Sequence, residues 1–98
     1  TQSMKNFKKE LYNVLEMLRS IEDEINLAGY SLTEKKVFFT INKLNMQNTI
    51  CNISDVIESS GLSRSTVYKA IKKLERNDML QLSQSSFDKR EFFLDLSL

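Results

Sequence analysis

The 98-residue chain is 41% hydrophobic and 28% charged, with a net charge of +1, so we expect one globular domain over residues 1–98. It has no His and one Cys, which excludes a Cys/His zinc site and an internal disulfide and favours a reducing, cytoplasmic location. No apolar run reaches the length of a signal peptide or membrane span, so we expect no membrane contact.

The first predicted element is one long helix over residues 4–28, which contains neither Pro nor Gly. Gly29 is expected to end it as a residue with positive φ. Its apolar residues are spaced four, three, four, three and four apart, as in a coiled-coil seam. This seam of the first helix (α1), which we name the α1 seam, could pack on the domain's own core or form a dimer contact; it comprises Phe7, Leu11, Val14, Leu18, Ile21 and Ile25.

A second helix is predicted from a capping box, in which Ser31 precedes Glu34 by three residues. The helix should run to about Leu44, and the polar stretch NMQNT after it reads as a turn. Residues 49–53 are predicted to form a very short strand. The side chains expected to face inward are Val37, Phe38, Ile41 and Leu44.

Residues 54–76 have the pattern of a helix-turn-helix that completes a helical core over 31–76. Ser54 is the predicted start of its first helix, Gly61 supplies the tight turn, and Ser63 is the predicted N-cap of the second helix. The second helix should bury the apolar residues that recur at helical spacing, which are Val67, Ala70, Ile71 and Leu74.

The second helix of this pair is strongly basic. Five basic residues and one acidic residue within 61–76 give +4, which leaves −3 for the rest of a chain whose net charge is +1. A basic helix on a nearly neutral body favours directed contact with an anionic partner. The alternative is a solvated face that keeps a small protein soluble. The basic residues are Arg64, Lys69, Lys72, Lys73 and Arg76.

After Asp78 the apolar period changes from 3.6 to 2, which predicts two strands at 79–83 and 91–96. They form a hairpin over residues 79–97, with a polar, charged tip. We expect Phe87, Phe92 and Phe93 to pack within the hairpin or core; the alternative is that they act as stacking platforms. The expected fold is therefore mainly α with a small β-hairpin wing, a winged helix-turn-helix.

Two motifs resemble the winged-helix regulators of the MarR type, including their SarA-like relatives. The first is SDVIESSGLSRSTVYKAIKKLERNDML, a run that GntR-type regulators share. The second is Asp88-Lys-Arg90, followed by Leu94, Leu96 and Ser97. The resemblance implies a homodimeric transcription regulator that binds double-stranded DNA at a pseudo-palindrome. It departs from the family at Asp78, where Gly is usual but where Asp tolerates left-handed geometry.

The expected DNA contacts lie on the second helix of the pair and on the wing. Ser65, Thr66 and Lys69 would lie at or near base edges, and Arg64 suits bidentate pairing with guanine. Ser63, the N-cap, is a further expected DNA contact. Lys72, Lys73 and Arg76 would contact phosphates, whereas Tyr68 could contact a phosphate or pack on the preceding helix. The resemblance implies that Arg90 enters the minor groove, oriented by Asp88, with Lys89 on the backbone; the alternative is an Asp–Arg pair that only stabilises the turn.

Several alternatives remain open at the level of sequence. The chain stops at Leu98, before the helices that build the MarR dimer, which leaves dimerisation through the first helix, a fragment of a longer chain, or a different dimer. A plasmid or phage replication or partition protein, or a protein-interaction module, could use the same fold. No catalytic motif or cofactor-binding motif is present, so we expect neither an enzyme nor a cofactor. Cys51 reads as a structural residue and not as a redox sensor.

Overall fold

The computed structural model describes residues 2–48 and 50–97. The chain divides into an N-terminal unit that ends at Tyr30 and a C-terminal unit that begins at Ser31. In the described ranges no helix is both long and apolar enough to cross a lipid bilayer. The elements are α1 (Gln2–Glu24), α2 (Leu32–Asn48), β1 (Cys51–Asn52), α3 (Ile53–Ser60), α4 (Arg64–Arg76), β2 (Leu80–Gln84) and β3 (Phe92–Leu96). This mainly helical order with a terminal hairpin confirms the predicted winged helix.

Helix α1 ends earlier than predicted, at Glu24, and Gly29 does not terminate it. Asn26 takes the left-handed conformation (φ 63°), and Gly29 is not among the described residues with positive φ. The Asn26 N–H donates to Asp23 O (3.3 Å) and the Leu27 N–H to Glu22 O (2.7 Å), the two bonds of a Schellman motif. An Asn side chain tolerates this conformation, so the helix ends before it reaches the glycine.

Helix α2 begins at the predicted capping box. The Ser31 N–H donates to Glu34 Oε1 (2.8 Å), and the Glu34 N–H donates to Ser31 Oγ (3.1 Å). These bonds satisfy two backbone N–H groups that the first helical turn leaves without a partner.

The predicted end of α2 at Leu44 and the turn after it are wrong, because the helix continues to Asn48; Thr49 lies outside the described residues. Neither Pro nor Gly interrupts this stretch, and Asn45 is fixed by tertiary bonds. Its amide donates to Leu94 O (3.0 Å) and accepts from the Leu96 N–H (3.2 Å). A polar residue that reads as a turn former therefore joins the helix to the sheet.

The three strands form one antiparallel sheet in the order β1-β3-β2. Strand β1 is shorter than the predicted 49–53, because Asn52 is already the N-cap of α3. Asn52 Oδ1 accepts from the Asp55 N–H (2.8 Å), and Asp55 Oδ2 accepts from the Asn52 N–H (3.1 Å). The expected start of α3 at Ser54 is therefore wrong, and Asn52 provides the cap in its place.

The core of the C-terminal unit forms where α2, α3, α4 and the sheet meet. Helix α4 contributes its predicted apolar face, which is buried. Of the residues expected to face inward from α2, Leu44 is only half-buried. The buried apolar residues from these elements include Val37, Phe38, Ile41, Val56, Val67, Ala70, Ile71, Leu74, Leu80 and Leu94.

The junction between α4 and the wing is a second Schellman motif. Asp78 has φ 59° and donates its N–H to Glu75 O (3.0 Å), while the Met79 N–H donates to Leu74 O (3.0 Å). Asp78 thus adopts the left-handed conformation expected at the position where the MarR pattern has Gly. The chain reverses here and enters β2 at Leu80, slightly later than predicted.

Candidate nucleic-acid interface

A tight turn and a hydroxyl cap set the start of α4. Gly61 has φ 72°, and its N–H donates to Ile57 O (3.1 Å), which closes α3. Ser63 is the N-cap of α4, as predicted, with Oγ accepting from the Thr66 N–H (3.3 Å) and donating to Thr66 Oγ1 (2.8 Å). Local bonds therefore close the end of α3 and fix the first turn of α4.

The face of α4 opposite its buried side is polar and basic. Tyr68 is 37% exposed, at the edge of this face. Thr66 and Lys73 are half-buried. The exposed members of the face are Arg64, Ser65, Lys69, Lys72 and Arg76. Burial of the apolar side thus turns most of the predicted DNA-binding residues of α4 toward solvent.

Lys73 has a carboxylate partner that the sequence analysis did not assign. Its ammonium group lies 3.1 Å from Glu34 Oε1, and the two side chains are 35% and 23% exposed. The pKa of Glu34 is lowered, first by the hydrogen bond from the Ser31 N–H and also by Lys73. The capping box identified Glu34 as a helix cap, but no local pattern linked it to a lysine on α4.

The tip of the wing is held by a buried serine. The Ser85 side chain is buried, and its hydroxyl accepts from the N–H groups of Phe87 (3.1 Å) and Asp88 (3.3 Å). Its own N–H donates to Glu91 O (2.9 Å). Gln84 Nε2 donates to Lys89 O (2.7 Å) across the loop. These bonds give the tip one defined backbone path.

Arg90 projects into solvent from this tip and pairs with Asp88. Asp88 Oδ1 accepts from the Arg90 N–H (2.9 Å) and from Arg90 Nε (3.3 Å), with the Arg90 side chain 92% exposed. Lys89 is exposed as well. Phe87 is 100% exposed, so its expected packing in the hairpin is wrong, whereas Phe92 and Phe93 are half-buried.

A cleft of about 390 Å³ joins α4 to the wing. It brings the first turn of α4 next to the base of the wing, and it adds the start of α3, which the sequence analysis did not assign to the site. The lining residues are Asn52, Ile53, Ser54, Arg64, Tyr68, Asp88, Arg90, Glu91 and Phe92. Two arginine residues from separate elements, Arg64 and Arg90, thus line the same cleft.

A second cleft, of about 530 Å³, runs beside the basic face. Lys69, Lys72 and Arg76 line it together with the Lys73–Glu34 pair and Glu75. Cations outnumber carboxylates on its walls, so its electrostatic potential favours an anion. The side chains predicted to contact phosphates therefore share one surface.

Cys51 is buried in β1 and lines neither cleft. Burial raises the pKa of its thiol to about 11, and the negative charges of Asp55 and Asp95 act in the same direction. A thiol with this pKa stays protonated at neutral pH and is a weak nucleophile. Its Sγ lies 3.7 Å from Leu94 O. Within the described ranges no group of three His, Cys, Asp or Glu residues could hold a metal ion.

The α1 seam is largely open to solvent in the single chain. Phe7, Leu11, Val14 and Ile21 are 61%, 48%, 60% and 43% exposed, and Leu18 is half-buried. Ile25 is half-buried as well, but it lies just beyond the end of α1 at Glu24, so the prediction that it lies on the helical seam is wrong. Apolar side chains that are exposed along one face of a helix are typical of surfaces that bind another protein.

No protein-family model matches the chain, and no curated protein matches it in sequence. Solved structures match its fold. BpsR from Bordetella bronchiseptica, whose DNA binding is regulated by 6-hydroxynicotinic acid, is 20% identical over 91% of this chain and 61% of its own, with a TM-score of 0.57.

Two further structures agree with this match. The adhesin competence repressor AdcR from Streptococcus pyogenes is 23% identical over 93% of this chain and 62% of its own (TM-score 0.57). Reduced AbfR bound to DNA is 17% identical over 99% of this chain and 71% of its own (TM-score 0.59). The chain spans about three fifths of the length of BpsR and AdcR. Its fold is that of MarR-type winged-helix regulators, as its motifs predicted.

Proposed function

We propose that this chain is a sequence-specific, double-stranded DNA-binding transcription regulator. The observation that carries the proposal is the cleft shared by Arg64, from the first turn of α4, and Arg90, from the wing. A helix and an adjacent hairpin that each present a guanidinium group can contact neighbouring grooves of one duplex. The similar folds of AbfR and BpsR, whose structures concern DNA binding, support the same role.

In this proposal α4 enters the major groove, which is wide enough for one helix. Arg64 pairs with guanine, and Ser65, Thr66 and Lys69 lie along the base edges. Lys72 and Arg76 bind phosphates, where positive charge increases affinity without reading sequence. Ser63 fixes the first turn through its cap and lies beside the backbone.

Lys73 and Tyr68 have more constrained roles. Lys73 is a predicted phosphate contact, but its ammonium group already binds Glu34, so a phosphate must compete with that carboxylate. Tyr68 lines the cleft with Arg64, where its hydroxyl could bind a phosphate near the wing.

The wing provides the second contact. Arg90 enters the minor groove, whose negative potential attracts an exposed guanidinium group. Asp88 holds Arg90 through its two hydrogen bonds, and Lys89 contacts the sugar-phosphate backbone.

We propose that the functional form is a homodimer joined through the α1 seam. Two recognition helices could then bind successive major grooves about 34 Å apart on a pseudo-palindrome. The exposed apolar residues of the seam support this contact.

Selection of bound sites from random double-stranded DNA tests the function, followed by gel shifts with two matched variants. Arg64→Ala should cost about 1–3 kcal/mol on the selected site and lose discrimination at one base pair. Lys72→Ala should weaken selected and random DNA alike and reduce the salt slope by about 0.9 for each bound protomer.

Each contrary outcome has a distinct meaning. Equal losses on selected and random DNA for Arg64→Ala would refute base reading by that residue. Selection of direct repeats in place of a palindrome would favour a replication or partition role. The absence of any salt-sensitive retention of DNA would refute the proposed function and leave a protein-interaction role for the fold.

A further inference from the structure

Phe87 at the wing tip combines full exposure with a fixed backbone. Its side chain is 100% exposed. Its N–H is bonded to the buried Ser85 hydroxyl, and the next N–H, of Asp88, is bonded to the same oxygen. Moving a large apolar side chain out of water lowers the free energy of the system. The fixed backbone lowers the conformational entropy that a partner would otherwise have to remove.

The immediate surroundings of Phe87 indicate the chemistry of that partner. Lys89 and Arg90 follow within three residues, both exposed, and the Arg90 side chain is 92% exposed. An exposed aromatic residue followed in the chain by two exposed cationic residues fits a surface that is apolar inside and anionic at its rim. The minor groove of DNA has this form, with deoxyribose walls between two lines of phosphates.

The wing also lies beside the recognition helix. Asp88, Arg90 and Glu91 line the cleft that contains Arg64. A DNA duplex bound by α4 would therefore pass next to the wing. Phe87, three residues before Arg90, would then lie near the same minor groove as Arg90.

We infer that Phe87 is a DNA-contacting residue, which packs against the deoxyribose walls of the minor groove beside Arg90. This inference rests on the proposed function. Phe87 adds affinity through apolar contact and releases no counterions, whereas Arg90 adds affinity through charge. The two side chains therefore differ in how their contributions depend on salt.

The test measures the affinity of the full chain for a double-stranded site selected by the wild-type protein, over a series of salt concentrations. Phe87→Ala should weaken binding about tenfold at every salt concentration and leave the salt slope unchanged, as expected for an apolar contact. Phe87→Leu, which keeps an apolar side chain, should recover part of the loss. Arg90→Gln should lower the slope by about 0.9 for each bound protomer.

Ser86→Ala is the matched control, because Ser86 is the exposed neighbour of Phe87 on the same tip. It should bind like the wild type. Thermal unfolding of the free variants should match the wild type, since the fully exposed Phe87 ring adds no buried contact to the fold.

Three results would overturn the inference in distinguishable ways. Wild-type affinity of Phe87→Ala for DNA, together with weakened binding by Arg64→Ala, would remove Phe87 from the interface and leave the proposed function intact. A change in the sedimentation of free Phe87→Ala with no change in DNA affinity would assign the ring to contact between copies of the chain. A wild-type protein that selects no DNA would overturn both proposals.

Discussion

Helices α1 and α4 are both amphipathic, but their apolar faces have different surroundings. Val67, Ile71 and Leu74 on α4 are at most 2% exposed and belong to the core of the C-terminal unit. On α1, Phe7 and Val14 are 61% and 60% exposed. The same kind of spacing thus produces a core face in one helix and an uncovered face in the other.

The difference shows what apolar periodicity means. It predicts that a face needs a partner, but not whether that partner lies in the same chain. Helix α4 packs against α2, α3 and β2, so its polar side is the side left for a ligand. For α1 the apolar side itself is exposed, which supports the proposed contact with a second copy.

Replacing a leucine by alanine on the apolar face of α4 and on that of α1 should give the largest difference in the free energy of unfolding. Leu74→Ala removes a fully buried side chain and leaves a cavity, so it should lower the free energy of unfolding by about 2–5 kcal/mol. Leu11→Ala, at 48% exposure, should cost only about 0.5 kcal/mol in dilute protein.

Urea denaturation over a series of protein concentrations checks both variants. The loss for Leu74→Ala should be the same at every concentration, whereas the loss for Leu11→Ala should grow as self-association adds stability to the wild type. A large, concentration-independent loss for Leu11→Ala would show that the α1 seam is core and not a dimer contact.

A charge on the α1 seam should have the next largest effect. Val14→Asp places a carboxylate in the proposed dimer contact, where burial without a partner is unfavourable. Self-association should weaken about 100-fold, which corresponds to about 2.7 kcal/mol. Sedimentation should show a folded monomer, with an unchanged helical circular dichroism spectrum.

Asn13→Asp provides the control, because it adds the same charge to an exposed position outside the seam. It should sediment like the wild type. Equal effects of the two aspartates would attribute the change to net charge and refute contact through the seam.

Loss of the Glu34–Lys73 pair should have the smallest effect. Glu34→Gln retains most of the side-chain shape and removes the charge that holds Lys73 of α4, at a cost below about 1 kcal/mol, because both groups remain partly exposed. Lys36→Gln, at an exposed position on the same helix, is the charge-removal control.

The contribution of Glu34 should also depend on pH. Its pKa is lower in the folded chain, so the stabilisation is fully present above the unfolded-state pKa. It is lost as pH falls through the folded-state pKa, and wild type and Glu34→Gln should therefore converge in acid. Denaturation midpoints measured from neutral to acidic pH check this, and a constant difference between the two proteins would contradict it.

Most of the fold was predictable because its signals are local. Gly61 at the turn, Ser63 at the cap and the buried spacing of α4 all act within a few residues. The errors also have local causes. Asn26 and Asn52 ended or capped helices before the more conspicuous Gly29 and Ser54, because an Asn side chain can serve either purpose.

The prediction of a polar turn after Leu44 was wrong for a different reason. Asn45 favours a turn as an isolated residue, but its amide bonds to β3 at Leu94 and Leu96 hold it in α2. Such bonds cannot be predicted from the spacing of residues in one segment, because their partners lie far along the chain. The prediction for Phe87 was wrong as well. Its apolar character predicted burial, but at the wing tip the ring has nothing to pack against.

The sequence by itself determined the order of helices and strands, the buried face of α4 and the basic charge on its other face. Those features follow from propensity, capping and spacing within single segments. Only the tertiary structure decided that Arg64 and Arg90 line one cleft, that Lys73 pairs with Glu34, and that the Phe87 ring stands in solvent. These relations depend on which distant residues the packed core brings together, and local preferences do not encode them.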